Sequence, residues 1–266
     1  MGLGSATRLY AAYLANFFAW LISPDATSHP ALFIPGKSPL RIYSAELGIF
    51  ASVRPNSDDL IVLTTNFEQT TSQWFEVEPG SVVVDVGAYI GRYALVAARK
   101  GAKVIAIEPD PANFSLLESN IRLNGFLNVT TLRVAVSNRG GTLPLYIAAG
   151  SSRSMSSLET DWTKHTATPD IEVKCETLDR VIESLGLERI DWLKIDVEGH
   201  EVPVLEGARR ALRKVDHLIL EVGDINQERC RTLMGEAGLE LVSVGERYRH
   251  AVNWLLIRKQ AVAGVG

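Results

Sequence analysis

The stretch V-V-V-D-V-G-A-Y-I-G at residues 82–91, followed by K-V-I-A-I-E-P-D at residues 103–110, decides the fold of this chain. The first stretch predicts a buried strand that ends near Asp85, then a glycine turn at Gly87 that opens a helix. The second predicts another buried strand that ends at Glu108. This is the layout of a nucleoside-binding site, in which the glycine lets the backbone approach the ligand and the acid accepts hydrogen bonds from ribose hydroxyls.

The turn Gly87-Ala88-Tyr89-Ile90-Gly91 indicates which nucleoside is bound. A dinucleotide-binding turn reads G-x-G-x-x-G, and here Tyr89 takes the place of the middle glycine and obstructs a pyrophosphate. Asp85 adds negative charge where phosphates would lie, whereas it suits a ligand with an ammonium group. S-adenosylmethionine has that ammonium, a ribose and no phosphate, so the residues favour it over a dinucleotide. The remaining alternative is an ordinary doubly wound fold with an incidental glycine turn.

Composition narrows the class of protein. A chain of 266 residues, 46% apolar and 22% charged, is typical of a globular α/β domain with an extension. Acids outnumber bases by 31 to 27 and no block of Lys and Arg stands out, so we expect no nucleic-acid partner. Cys175 and Cys230 form neither a metal-ligand spacing nor a disulfide framework. We therefore expect two small buried side chains and a cytoplasmic location.

The N-terminal part of the chain is less regular. Residues 9–22 form an uncharged apolar run, shorter than the ~20 residues that span a bilayer. Three interpretations stand: a helix that packs on the domain or on a homodimer partner, an interfacial helix that makes the protein peripheral to a membrane, and a cleaved signal peptide. Prolines divide residues 23–80 into short pieces, which we expect to contact the acceptor. The cofactor-binding domain is expected over residues 81–266.

From residue 81 onward, strands and helices alternate. Strands are expected at 82–87, 103–108, 129–136, 191–196, 217–222, 240–245 and 252–258, and helices at 91–100, 111–124, 177–185, 200–213 and 226–237. Such alternation, with continuous apolar runs in the strands, predicts a mostly parallel sheet covered on both faces. The last two strands form an antiparallel hairpin. A doubly wound, Rossmann-like sheet of seven strands that ends in a hairpin is the layout of S-adenosylmethionine-dependent methyltransferases.

Shorter elements are expected outside this order. Short strands are predicted at 31–34, 40–43 and 142–148, and residues 58–65 predict a helix or a strand. Residues 138–176 interrupt the alternation. The polar stretch at 151–157 is either a solvated loop or a lid over the acceptor.

Four segments carry a resemblance to a known family. They are D-W-L-K-I-D-V-E-G-H-E-V at 191–202, V-D-V-G-A at 84–88, I-E-P-D at 107–110 and N-I-R-L-N-G at 120–125. Together they resemble the FkbM family of methyltransferases from about Val53 to Lys259, and K-I-D-V-E-G is the most specific motif. V-R-P-N-S-D at 53–58 resembles the family's entry segment. Tyr89 departs from the pattern, because the family usually has Asn there.

The resemblance implies methyl transfer from S-adenosylmethionine, usually to a hydroxyl oxygen of a sugar, a glycan, a polyketide or another secondary metabolite. By position, it assigns the methionine side of the site to the first strand and its turn, and the ribose to Glu108. Ala135 and Val136 would flank the adenine. The expected cofactor-binding residues are Asp85, Gly87, Ala88, Tyr89, Gly91, Glu108, Pro109, Ala135, Val136 and Asp196.

A hydroxyl acceptor must lose its proton, and the candidates for that step follow the fourth and fifth strands of the expected sheet. They are Asp196, Glu198, His200 and Glu221. Each has an alternative: cofactor contact for Asp196, a helix cap for Glu198, a surface or first-turn position for His200 and a buried ion pair for Glu221. Lys194 is expected to pair with a carboxylate.

Two further questions stay open at this level. Asp196, Glu198 and Glu221 could converge on a cation, but no spacing compels it, so no metal is predicted. The competing functions are an RNA methyltransferase and a membrane-associated binding protein without turnover. The residues after the fourth strand read Asp196-Val197-Glu198-Gly199 and lack the Pro-Pro-aromatic motif of base N-methylation enzymes.

Overall fold

The structure is a computed structural model that describes Thr7 and residues 38–64, 67–148, 153–159, 171–248 and 250–259. The predicted helix at residues 9–22 and the predicted strand at 31–34 lie outside these residues and stay predictions. Among the described residues, no helix has the length and apolar character needed to cross a membrane.

The elements before the central sheet pack against one face of the main domain and share its core. Strands β1 (Leu40–Ser44) and β2 (Ile49–Val53) pair antiparallel, and two short helices follow, α1 (Asp59–Val62) and α2 (Gln69–Trp74). Strand β2 packs on the helix at Pro111–Asn124 of the main domain, where Asn120 Oδ1 accepts a hydrogen bond from the Ser52 backbone N–H at 2.7 Å.

Alternating strands and helices build the main domain. The first half contains β3 (Val82–Val86), α3 (Arg92–Arg99), β4 (Lys103–Ile107), α4 (Pro111–Asn124) and β5 (Val129–Leu132). Three short strands then form a sheet of their own, β6 (Ala135–Val136), β7 (Gly141–Leu145) and β8 (Ile171–Glu176). The second half contains α5 (Leu178–Ser184), β9 (Ile190–Ile195), α6 (Glu201–Glu206), β10 (Val215–Gly223), α7 (Gln227–Glu236), β11 (Leu239–Tyr248) and β12 (Ala251–Arg258).

The central sheet has seven strands in the order β11-β12-β10-β9-β3-β4-β5. Strands β5, β4, β3, β9 and β10 are parallel, and β12 lies antiparallel between β10 and β11. The chain reverses its direction of winding between β3 and β9, which is where open α/β sheets bind their ligands. The predicted doubly wound fold with a terminal hairpin is confirmed.

The two faces of this sheet differ in chemistry. Side chains alternate along a strand, and Val84, Ile195 and Leu220 lie in an apolar core on one face. Their neighbours face the other way: Asp85 is in register with Lys194, and Glu221 is in register with Asn253. The second face is therefore apolar at the amino ends of the parallel strands and polar toward their carboxyl ends.

Two predicted elements were too long. The strand expected at 129–136 ends at Leu132, because Ala135 and Val136 pair with Cys175 and Glu176 of β8 and leave the central sheet. The helix expected at 200–213 ends at Glu206 and resumes as a short 3₁₀ turn at Ala211–Lys214.

Gly207 is the first residue after α6. A Cβ on Gly207 would lie 2.1 Å from the Ser137 carbonyl oxygen, so the chain passes too close to that backbone for a side chain.

Two strands were not predicted, β2 and β8. Strand β8 reads I-E-V-K-C-E, a plain alternation of apolar and polar residues, so a period-two pattern was present in the sequence. Cys175 and Cys230 are both free and buried, as expected.

Candidate active site

A cavity of about 1150 Å³ opens at the carboxyl ends of the parallel strands. Its lining includes most of the residues expected at the cofactor, namely Asp85, Gly87, Ala88, Tyr89, Glu108, Pro109, Ala135, Val136 and Asp196. The candidate bases Glu198 and Glu221 also line it. Residues that are far apart in sequence thus face one space, large enough for more than one small molecule.

Asp85 sits at the bottom of this cavity. Its carboxylate is buried and accepts a hydrogen bond from the Ala94 backbone N–H at 3.1 Å, in the first turn of α3. Burial raises the pKa of Asp85 to about 6, although the nearby Lys194 ammonium acts to lower it. The residue therefore fastens the helix to the strand as well as lining the cavity.

Glu108 holds the turn that follows β3. Its two carboxylate oxygens accept hydrogen bonds from the backbone N–H of Tyr89 at 2.8 Å and of Asp110 at 2.9 Å. Burial raises the pKa of Glu108 to about 7, and these two backbone donors oppose that shift. A buried carboxylate fixed in this way is suited to accept hydrogen bonds from a ligand diol.

Tyr89 adopts a left-handed backbone conformation, with φ of 53°. Its hydroxyl lies within hydrogen-bond distance of the Asp58 and Asp59 carboxylates, and Arg54 donates to the hydroxyl oxygen at 2.9 Å. Arg54 also forms a bidentate ion pair with the buried Asp59. Tyr89, at the position where the family usually has Asn, thus links the turn to the entry segment at residues 53–58 through its hydroxyl.

Lys194 and Asp196 form an ion pair in the lining of the cavity. The Lys194 ammonium donates to Asp196 Oδ2 at 2.7 Å and lies 4.7 Å from the centre of the Tyr93 ring. The predicted pairing of Lys194 with a carboxylate is confirmed. Burial acts to raise the pKa of Asp196, but the Lys194 charge, together with hydrogen bonds from Glu221 and Lys194, holds that pKa below its ordinary value.

The pKa of Glu221 is shifted in the opposite direction to that of Asp196. Burial, and then the adjacent Asp196 carboxylate, raise the pKa of Glu221 well above its ordinary value. Asp196 and Glu198 lie two residues apart, and this spacing predicts that they form a carboxylate pair with divergent pKa values. In the structure the pKa values that diverge are those of Asp196 and Glu221. One oxygen from each of Asp196, Glu198 and Glu221 lies within 4.8 Å of the others.

Two expected residues lie outside the cavity lining. His200 precedes α6 and is buried, with Nε2 at 3.0 Å from Ser137 Oγ and Nδ1 at 2.6 Å from Glu159 Oε1. Gly91 begins α3, and a Cβ there would lie 2.7 Å from Leu117 Cδ1. Both residues thus contact neighbouring elements and do not face the cavity. His200 does contact Glu159, which lines the cavity.

Sequence patterns did not single out Arg92 or Glu68. The buried Arg92 guanidinium donates to the carbonyls of Val62, Thr64 and Phe67 and to Ser72 Oγ, so it anchors the segment between α1 and α2. Glu68, in that segment, lines the cavity and receives a hydrogen bond from the Tyr93 hydroxyl. No local motif marks such residues, because their partners are distant in sequence.

Comparison with known proteins agrees with this geometry. Residues 85–256 match the Methyltransferase FkbM domain. The hexuronic acid methyltransferase AglP of Haloferax volcanii is 33% identical over 169 residues, which cover 62% of this chain and 65% of that protein. Methyltransferase sdnD of Sordaria araneosa is 33% identical over 156 residues, covering 47% and 59%. The 31-O-demethyl-FK506 methyltransferase FkbM of Streptomyces tacrolimicus is 31% identical over 183 residues, covering 57% and 68%.

The sheet order and the cavity at its carboxyl edge define a Rossmann-like methyltransferase domain. The chain belongs to the FkbM methyltransferase family, as its motifs indicated. S-adenosylmethionine is therefore the cofactor of this domain, which confirms the choice made from the turn at Gly87. The chain spans 65% and 59% of the length of the first two relatives.

The lining of the cavity fits that cofactor. Glu108 and Asp85 have buried carboxylates, groups that accept hydrogen bonds from ribose hydroxyls and from an ammonium. Ala135, Val136 and Leu145 supply apolar surface of the kind that packs on a flat ring.

Proposed function

We propose that this protein transfers a methyl group from S-adenosylmethionine to a hydroxyl oxygen of a sugar, a glycan or a related polyhydroxylated metabolite. The observation that carries the proposal is the convergence of Asp196, Glu198 and Glu221 in the cavity that also contains Glu108 and Asp85. Carboxylates of this kind take up the proton that a hydroxyl loses on methylation. By their names, AglP is a methyltransferase of hexuronic acid and FkbM is a methyltransferase of 31-O-demethyl-FK506.

The cavity supports a two-ligand reaction. The cofactor supplies an activated methyl group on a sulfonium, and the protein must hold the acceptor in line with it and exclude water. Drug-sized ligand pockets run to roughly 1,000 Å³, and the cavity here is about 1150 Å³. The lining also includes Glu68, Ser154 and Glu246, polar side chains that suit the hydroxyl groups of an acceptor.

The expected acceptor-contacting regions agree with this arrangement. Asp58 from residues 23–80 hydrogen-bonds Ser154 from residues 138–176, and both line the cavity. Both segments lie outside the parallel sheet, and their contact at the cavity supports an acceptor side that includes Asp58 and Ser154.

The experiment that tests the proposal has two stages. Calorimetric titration with S-adenosylmethionine, its demethylated product and NAD is expected to show binding of the first two and none of NAD. Hexuronic acids, neutral glycans and polyketide alcohols are then offered with the cofactor, and release of the demethylated product is measured. Glu198→Gln is expected to lower kcat by about 10²–10⁴, with unchanged cofactor affinity.

Other results would favour the competing functions. Methylation of RNA but of no oxygen acceptor would support an RNA methyltransferase. Cofactor binding without turnover on any acceptor would support a binding protein that keeps the fold.

A further inference from the structure

The polar face of the sheet carries an amide group that the chemistry above does not use. Asn253 on β12 is 2% exposed and lines the cavity, yet its Oδ1 has no hydrogen-bond partner in the part of the chain that the structure describes. A buried amide oxygen without a partner costs free energy, so such groups are rare and call for an explanation.

The position of Asn253 brings this oxygen to the acidic residues. Asn253 is the direct antiparallel partner of Glu221, so both side chains leave the same face of the sheet. Glu221 is one of the three carboxylates whose oxygens lie within 4.8 Å of one another. The chain therefore presents three carboxylates and an amide oxygen to one cavity, from the turn after β9 and from β10 and β12.

We propose that Asp196, Glu198, Glu221 and Asn253 form a binding site for a hard divalent cation such as Mg²⁺, Mn²⁺ or Ca²⁺. The proposal deepens the proposed function, because the site lies at the carboxylates that face the acceptor.

The spacing of the oxygens suits such an ion. Mg²⁺ binds oxygen at about 2.0–2.1 Å and Ca²⁺ at about 2.3–2.6 Å, so two ligand oxygens on opposite sides of the ion lie roughly 4–5 Å apart. The observed limit of 4.8 Å falls within that range.

The ligand types narrow the choice of metal. All the ligands are carboxylate or amide oxygens, which suit hard cations, whereas zinc sites in proteins contain Cys or His. The nearest histidine along the chain, His200, is committed to Ser137 and Glu159.

The surrounding charges also favour a cation. Lys194 places a buried ammonium beside this group and contacts Asp196 through Oδ2. Three carboxyl groups lie close together there, and a divalent ion would offset the mutual repulsion of their ionised forms. A carboxylate can bind Lys194 with one oxygen and a metal with the other, so the ion pair and the cation site are compatible.

A cation here would act on the acceptor. Hard cations bind chelating oxygen pairs, such as a hydroxyl beside a second hydroxyl or a carboxylate, and lower the pKa of a bound hydroxyl. The inferred acceptor class is therefore one with two neighbouring oxygen groups.

The test measures binding alone, so its failure is distinct from failure of the methyl-transfer assay. The full chain, stripped with EDTA, is titrated with Mn²⁺, and free Mn²⁺ is followed by electron paramagnetic resonance, with Mg²⁺ and Ca²⁺ as competitors. One site per chain is expected. Glu198→Gln and Asn253→Leu are each expected to weaken it about tenfold or more, because ligand number and charge set the affinity.

A matched control removes a carboxylate that lines the same cavity outside the proposed ligand set. Glu159→Gln is expected to leave Mn²⁺ affinity within about twofold, since Glu159 contacts His200. A rise of the wild-type Tm on addition of Mn²⁺ gives a second readout that requires no variant.

Three results would overturn the proposal. They are no Mn²⁺ binding and no Tm shift at millimolar metal, equal weakening by Glu159→Gln and Glu198→Gln, and full Mn²⁺ affinity in a folded Asn253→Leu protein. The first result would indicate that the acidic residues bind a cationic acceptor and no metal ion.

Discussion

Gly87 and Asp196 approach so closely that a Cβ on Gly87 would lie 1.7 Å from the Asp196 carbonyl oxygen. Gly87 has a φ of 81° and donates its N–H to the Ile107 carbonyl at 2.9 Å. The turn after β3 therefore passes directly over the end of β9, and this contact brings the cofactor-binding turn and the acidic residues into one cavity.

Gly87→Ala is expected to displace the end of β9. The left-handed conformation costs about 1–2 kcal/mol for a residue with a side chain, and the overlap with Asp196 adds about 3 kcal/mol or more. Chemical denaturation measures the change in the free energy of unfolding. Gly80→Ala is the control, because Gly80 has a similar φ of 83° with nothing within 4 Å of its Cβ position. Equal losses in the two variants would contradict the close approach.

Tyr89→Phe removes the hydroxyl that joins the turn to Arg54 and Asp59. Hydrogen bonds to charged groups contribute about 1.5–3 kcal/mol, so a loss of that size in the free energy of unfolding is expected. Tyr43→Phe is the control, because Tyr43 is 46% exposed, and changes at such positions stay within about 0.5 kcal/mol. A Tyr89→Phe protein as stable as wild type would show that the hydroxyl is not needed there.

Lys194→Met removes the buried ammonium from Asp196. Breaking one side of a buried ion pair costs about 3–5 kcal/mol, because the remaining charge is left without compensation. The double variant Lys194→Met/Asp196→Asn is expected to recover part of that loss, which urea denaturation of all three proteins measures. Arg180→Met breaks the exposed pair with Glu176 and is expected to cost less than about 1 kcal/mol. A comparable loss in Arg180→Met would contradict the assignment of the Lys194 pair as buried.

Because the pKa of Glu108 is raised, the free energy of unfolding is expected to fall as the pH rises. Burial raises this pKa from an ordinary 4.5 to about 7 in the folded protein, so the folded state binds a proton that the unfolded state has already released. Its stabilising contribution is complete below about pH 4.5 and is lost as the pH rises through about 7. The loss amounts to about 3 kcal/mol, because one unit of pKa corresponds to about 1.4 kcal/mol.

Glu108→Gln removes this titration. Melting curves of the cofactor-free protein between pH 5 and pH 8 are expected to show a shallower decline for the variant than for wild type. Parallel pH profiles for the two proteins would show that Glu108 does not titrate in this range.

Sequence alone determined the central sheet and the cofactor. Residues 82–91 and 103–110 have local signatures, because buried parallel strands are continuous apolar runs and the glycine turn between them has a fixed spacing. The terminal hairpin was equally clear, since only residues 246–251 separate its two predicted strands. The family motif at residues 191–202 indicated the enzyme class, and it predicts that Asp196 lies beside the cofactor.

Tertiary structure alone decided which side chains act together. Strand register sets Asn253 beside Glu221, the contact of Gly87 with Asp196 joins the two halves of the site, and Arg92 anchors a segment more than twenty residues earlier in the chain. Tertiary structure also decided that Ala135 and Val136 pair with β8 in a second sheet. A local pattern specifies which face of a strand a residue occupies, but its neighbour on the next strand depends on long-range pairing, which the free energy of the whole fold selects.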